Sequence, residues 1–285
     1  MRMTAPSRRA AVGRWMLPPL AALALAACSE TLGSFSPQSR GVAEVDADAT
    51  GANAGNIASL TDVIQRNPND SVAYNTRGIA YAKGARYQNA IDDFTKAIQI
   101  DPKFAAAYTN RALAFRQIEK DGPALADFNA AIVANPNDAS AYLGRGNLLR
   151  AHGHFPEALA DLDAAIRLQP EGAQAYHARG LIFQRQGNHE QAITDFNNAI
   201  DRDPFAGAPY QARGQSLLAT GKYDAAIEDF NATLNVDANN ADAWASLGLA
   251  YEKQGNKAKA VESYERAMQV SPGNALARAG LQRLA

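Results

Sequence analysis

Few residues in this chain are equipped for chemistry. There are four histidines (His152, His154, His177 and His189) and a single cysteine, Cys28. His152 and His154 form an H-x-H pair, a spacing that offers two imidazoles to a transition metal. No carboxylate or thiol beside them in sequence completes a ligand set, and solvated turn histidines are the plainer reading. One cysteine excludes a disulfide framework, a thiolate zinc site and an intramolecular redox pair, leaving nucleophile, buried thiol or modification site. The aspartates recur at a fixed interval, as structural residues would, whereas a catalytic acid would stand apart. No phosphate-binding glycine loop or nucleophile motif occurs. No metal, cofactor or catalytic centre is expected, and the chain does not read as an enzyme.

The 285 residues are 47% hydrophobic and 20% charged, a composition that supports an ordered core. A net charge of -1 argues against nucleic-acid binding through a strong positive field. The N-terminal segment explains the position of Cys28. Residues 1–14 are basic and polar, residues 15–27 are apolar, and the run stops at Cys28-Ser29-Glu30. The apolar stretch is shorter than the roughly 20 residues a bilayer needs, and its flanks describe a secretory signal. Residues 1–27 carry four arginines and no acid, so their removal would take the net charge from -1 to -5. Residues 28–55, rich in Ser, Gly, Ala and Asp, read as a tether with a reach of roughly 30 Å.

The rest of the chain is organised by a 34-residue period. Tyr74, Tyr108, Tyr142, Tyr176, Tyr210 and Trp244 keep that interval, as do the alanines from Ala90 to Ala260. Phe94, Phe128, Leu162, Phe196, Phe230 and Tyr264 follow it too. Six units tile the sequence without insertion: 71–104, 105–138, 139–172, 173–206, 207–240 and 241–274. Counting each unit from 1, the aromatic stands at position 4, small residues at 8, 20 and 27, and a large residue at 24. Small positions let two helices approach closely, and large ones fill the space between them. Residues 56–70 keep the phase of a lone second helix, and 275–285 form an amphipathic capping helix, as a stacked array requires at its ends.

These positions resemble the tetratricopeptide repeat (TPR) family, which implies an all-α, right-handed superhelical solenoid of antiparallel helix pairs. Leu25-Ala26-Ala27-Cys28 likewise resembles the bacterial lipobox. That resemblance implies lipidation of Cys28, with the acyl chains (palmitate among them) anchoring the protein in the envelope. Ser29 favours the outer membrane, facing the periplasm. The alternative is a signal sequence that merely contains a cysteine.

Position 7 departs from the family's leucine, being Arg77, Arg111, Arg145, Arg179 and Arg213, then Leu247. Position 23 is Asp93, Asp127, Asp161, Asp195 and Asp229, then Ser263. Acid and base vanish together in the sixth unit, so an Arg–Asp pair within each of the first five is expected. The alternative is five independent surface charges. A partly exposed pair would contribute under about 1 kcal/mol.

The family resemblance implies a concave groove lined through positions 2, 5, 9, 12 and 13 of the first helices. Those positions supply Lys83, Arg116, Arg150, Arg185 and Lys253, with Asn75, Asn147, His177, Gln184, Gln211 and Gln215 between them. Asp242 and Glu252 are the acids, both in the last unit. A polar groove with a basic middle would steer an acidic protein or peptide partner. The resemblance implies a scaffold or adaptor in the bacterial periplasm, recruiting for example envelope proteases or cell-wall hydrolases. The competing expectation is a pilotin-like assembly factor for an outer-membrane pilus or secretion channel.

Overall fold

A computed structural model describes residues 49–285, with side chains from residue 54. The expected signal segment, Cys28 and the tether as far as residue 48 lie outside the described residues. Within them the chain is all-α. The helices are α1 (Ala49–Arg66), α2 (Ser71–Lys83), α3 (Tyr87–Ile100), α4 (Ala105–Gln117), α5 (Asp121–Ala134), α6 (Ala139–Ala151) and α7 (Phe155–Leu168). They continue as α8 (Ala173–Arg185), α9 (His189–Arg202), α10 (Gly207–Ala219), α11 (Tyr223–Val236), α12 (Ala241–Gln254), α13 (Lys257–Val270) and α14 (Ala275–Leu284).

Every even-numbered helix starts at the first position of the 34-residue period, so α14 has the phase of one more first helix. Helix α1 has the phase of a second helix, but it opens at Ala49, inside the stretch expected to be tether. Once a helix is nucleated, each added residue gains a backbone hydrogen bond, so the helix over 56–66 can extend towards its N-terminus.

Local chemistry sets the helix ends. Asp70, Asp138, Asn240 and Asn274 occupy the last position of the period. Each accepts from a backbone N–H in the first turn of the following helix, at 2.9–3.3 Å. Position 15 has a positive φ in all six units: Gly153, Gly187, Gly221 and Gly255 in the last four, Ala85 and Glu119 in the first two. The turns of the first two units thus share the positive φ of the others and differ at this position in carrying a side chain where glycine fits best.

Packing follows the period. The position-20 alanines from Ala90 to Ala260 are wholly buried, as are Phe128, Leu162, Phe196, Phe230 and Tyr264, with Phe94 barely exposed. Each such ring contributes about 1.5–3 kcal/mol of hydrophobic stabilisation. A Cβ on Gly78, Gly180, Gly214 or Gly248 would stand 2.6–2.7 Å from the position-24 ring of the same unit. This close approach is why position 8 is glycine there.

The five expected Arg–Asp pairs are all present, each with two parallel hydrogen bonds of 2.6–2.8 Å, from Nε to Oδ2 and from Nη2 to Oδ1. They are less exposed than expected: the Asp side chains retain 3–8% of their exposure and the Arg side chains 15–23%. The hydrogen bond to the acid is the chief reason Arg77, Arg145, Arg179 and Arg213 titrate above the ordinary guanidinium range. Each guanidinium also lies 5.6–5.9 Å from the centre of its own unit's position-4 tyrosine ring.

The remaining arm, Nη1, crosses to the preceding unit. It donates to Thr61, Thr95, Asn129, Asp163 and Asn197 in turn, at 2.6–3.1 Å. These acceptors all stand at position 25. Position 7 therefore ties its own helix pair together and joins it to the pair before.

Candidate functional site

The first helices of successive units touch one another from α2 through α14, whereas among the described residues no two second helices do. The array is therefore tighter along the first-helix side, which makes that side the inner, concave face. The expected groove residues project from these helices, and the structure divides them into three groups.

Some are already hydrogen-bonded within the protein. Asn75 is buried and its side-chain oxygen accepts from Asn110 at 3.0 Å. Gln184 donates to the Ala212 carbonyl at 2.7 Å and to Ser216 Oγ at 2.9 Å. Gln211 accepts from Asn240 at 3.0 Å. Others differ in exposure: Lys83 and Lys253 are exposed in the first and sixth units, and Asn147 and Gln215 are half-buried.

The third group is concentrated. Arg116 in α4, Arg150 in α6 and Arg185 in α8 carry unpaired guanidinium charges in three consecutive units: none has an ion-pair partner within 4.0 Å among the described residues. Burial pulls Arg116 below the ordinary guanidinium range, with Asp121 opposing. Burial also lowers Arg150, and the like charges of Arg116 and Arg185 add to the effect. The Nε of Arg150 is buried without a hydrogen-bond partner. The Arg185 guanidinium lies 5.4 Å from the centre of the Phe155 ring.

His177 belongs to the same patch. Its ring packs against Phe196 at 5.8 Å, and its pKa is pushed down to about 4, first by burial and then by Arg150. It is a neutral imidazole at neutral pH.

The H-x-H pair acquires one partner that sequence proximity concealed. Asp121, from the preceding unit, lies 2.8 Å from His152 Nε2 at an exposed position. No group of three or more His, Cys, Asp or Glu among the described residues is placed to hold a metal ion.

Sequence reasoning also missed the ion pair that ties α14 to α12. Glu252, counted as a groove acid, accepts from Arg283 Nε and Nη2 at 2.9 and 2.8 Å and from Tyr264 Oη at 2.6 Å. Arg283 is the main reason the Glu252 carboxyl titrates below its usual range. Arg283 stands at position 9 of the α14 phase, so extending the period past residue 274 would have placed it.

Models of the tetratricopeptide repeat match residues 71–104, 143–207 and 212–275, together more than half of the chain. No curated protein sequence matches it. Among solved structures, the APC/C hetero-tetramer Cut9–Hcn1 superposes with a TM-score of 0.70 at 21% identity, over 82% of this chain. This chain spans about half of that one, 46%. YrrB, described as a TPR protein with an unusual peptide-binding site, gives 0.58 at 25% identity over 66% of this chain and 97% of its own. PilW, described as a widely conserved type IV pilus biogenesis factor, gives 0.66 at 20% identity over 74% of this chain and 98% of its own.

Proposed function

The chain belongs to the tetratricopeptide-repeat family, and from that premise we propose that it is a non-catalytic scaffold whose concave face binds partner proteins in the bacterial periplasm. The observation that carries this reading is the continuous inner face, assembled from the first helices of six units. Such a face offers many weak contacts in register along an extended segment, and its specificity lies in the side chains at a few repeated positions. YrrB, alike in fold, is described as having a peptide-binding site, which supports peptide recognition as the mode.

The proposal includes the anchor. Cys28 receives the lipid, the preceding 27 residues are removed, and several acyl chains hold the protein in the outer membrane where one would be marginal. Among the described residues no helix is long and apolar enough to cross a membrane. The lipid and the tether would place the repeats beside the inner leaflet of the outer membrane, where envelope proteases or cell-wall hydrolases are the partners in reach.

A second reading is an assembly factor for an outer-membrane pilus or secretion channel. PilW, alike in fold at 20% identity, is described as a pilus biogenesis factor, and this gives the reading its support. Crosslinking in intact cells, followed by identification of what copurifies with the membrane fraction, separates the two. Proteases or hydrolases support the adaptor, and a channel subunit supports the assembly factor. Cys28→Ser should abolish fatty-acid labelling and block processing; a labelled, normally cleaved mutant would sink the anchor.

A further inference from the structure

Arg116, Arg150 and Arg185 come from three consecutive first helices and carry no acidic counter-ion within ion-pair reach among the described residues. Holding three like charges together costs the folded state energy, and a buried Nε without a partner adds to that cost. The same fold satisfies its other buried guanidiniums: five position-7 arginines each take a carboxylate and a third acceptor. The contrast lies within one chain and one repeat. At position 7 arginine is neutralised internally, and at positions 12 and 13 it is left for something else.

Spacing narrows what that is. Touching helices such as α4, α6 and α8 have axes about 8–10 Å apart. An extended polyproline-II segment presents the same face every three residues, about 9 Å along its axis. One residue in three thus meets successive helices in register. A long uniform polyanion fits less well, because Asp242 is exposed on a later first helix, α12.

We infer that Arg116, Arg150 and Arg185 form a cationic ladder that takes an extended acidic segment of a partner protein, with a carboxylate at every third residue. This rests on the scaffold reading and names the chemistry of its partner. Each guanidinium presents its fork to one carboxylate, and the Arg185 guanidinium has the Phe155 ring beside it, 5.4 Å from the ring centre. Asn147 stands on α6 as a neutral hydrogen-bonding group for the segment's backbone.

The test uses the full chain in detergent and three labelled nine-residue peptides, read by fluorescence anisotropy. The first has Glu at positions 1, 4 and 7; the second has three adjacent Glu; the third has Gln in place of each Glu of the first. The spaced peptide should bind best, with the other two weaker by about tenfold or more. Arg150→Gln should lose a similar factor while melting no lower than the parent. Arg150→Lys, which keeps the charge and loses the fork, should fall between them. Equal binding of the spaced and adjacent isomers overturns the ladder, as does unimpaired binding by Arg150→Gln. Tighter binding of a dT20 oligonucleotide than of the spaced peptide overturns it too. If partners still copurify from cells after such a failure, the scaffold reading stands without the ladder; if nothing copurifies, it is the scaffold reading that fails.

Discussion

A Cβ placed on Gly144 would stand 2.3 Å from Cε1 of Phe128. The reason lies one first helix earlier, in the second unit. There position 8 is Ala112, while every other unit has glycine at that position. The Phe128 ring leans towards position 6 of the next unit, which is Gly144, whereas Asn110, Ala212 and Ser246 stand there after units whose position 8 is glycine. Tyr264 approaches both positions, and both are glycine, Gly248 and Gly280. Gly144→Ala should therefore overpack the joint and cost about 1–3 kcal/mol. Adding Ala112→Gly should recover part of the loss by giving the ring its usual seat. Thermal melts of the single and double variants check this, and a double no more stable than the single would contradict it.

The Arg179–Asp195 pair yields a second expectation. Arg179→Ala leaves the Asp195 carboxylate buried without its partner and should cost about 3–5 kcal/mol. The double variant Arg179→Leu, Asp195→Ser copies the sixth unit, where Leu247 and Ser263 are both buried and Ser263 donates to the Lys259 carbonyl at 2.8 Å. It should be the milder change, since the one charge left unpaired, Asp163, is half-exposed. Chemical denaturation of both variants decides the matter; equal losses would mean that the pair does not act as a unit.

Much of this was legible because the sequence repeats. A contact that recurs six times can be read from spacing alone, and the joint disappearance of Arg and Asp in the sixth unit identified partners 16 residues apart. The third arm of each arginine stayed hidden because its acceptor changes type among Thr, Asn and Asp. No single residue pattern marks position 25. Burial of the Asp was also hidden, because exposure depends on how neighbouring helix pairs cover it. The groove was legible only as a set of positions. Which members are spent on Asn110, Ala212 and Asn240, and which remain for a ligand, depends on side-chain reach between distant parts of the chain.

Ala85 and Glu119 hold the left-handed backbone that glycine holds in the later units, with φ of 55° and 58°. A side chain in that region costs roughly 1–2 kcal/mol. Ala85→Gly and Glu119→Gly should each raise the melting temperature, and Gly187→Ala should lower it. A fall on either glycine substitution would show that unfolded-chain entropy outweighs the relief of strain.

His177 makes stability depend on pH in a defined window. Its pKa is near 6.5 when unfolded and about 4 when folded, so between those values the unfolded chain binds more protons. Its contribution is complete above pH 6.5 and is lost as pH falls towards 4, at up to about 1.4 kcal/mol per pH unit. Glu252, lowered by Arg283, acts lower still, losing its contribution as pH falls below the ordinary carboxylate range. Melting temperatures measured from pH 7 to pH 4 should decline less steeply for His177→Gln than for the parent. Parallel curves would remove His177 from the account.

Protein binding at the concave face has a direct test. A photo-crosslinking amino acid at Asn147 on that face, and another at exposed Thr194 on a second helix, tests it in living cells. The account predicts discrete higher-mass adducts from position 147 that weaken when Arg116, Arg150 and Arg185 are changed to Glu. Adducts from position 194 alone, or adducts from 147 that persist unchanged in the triple variant, would contradict it.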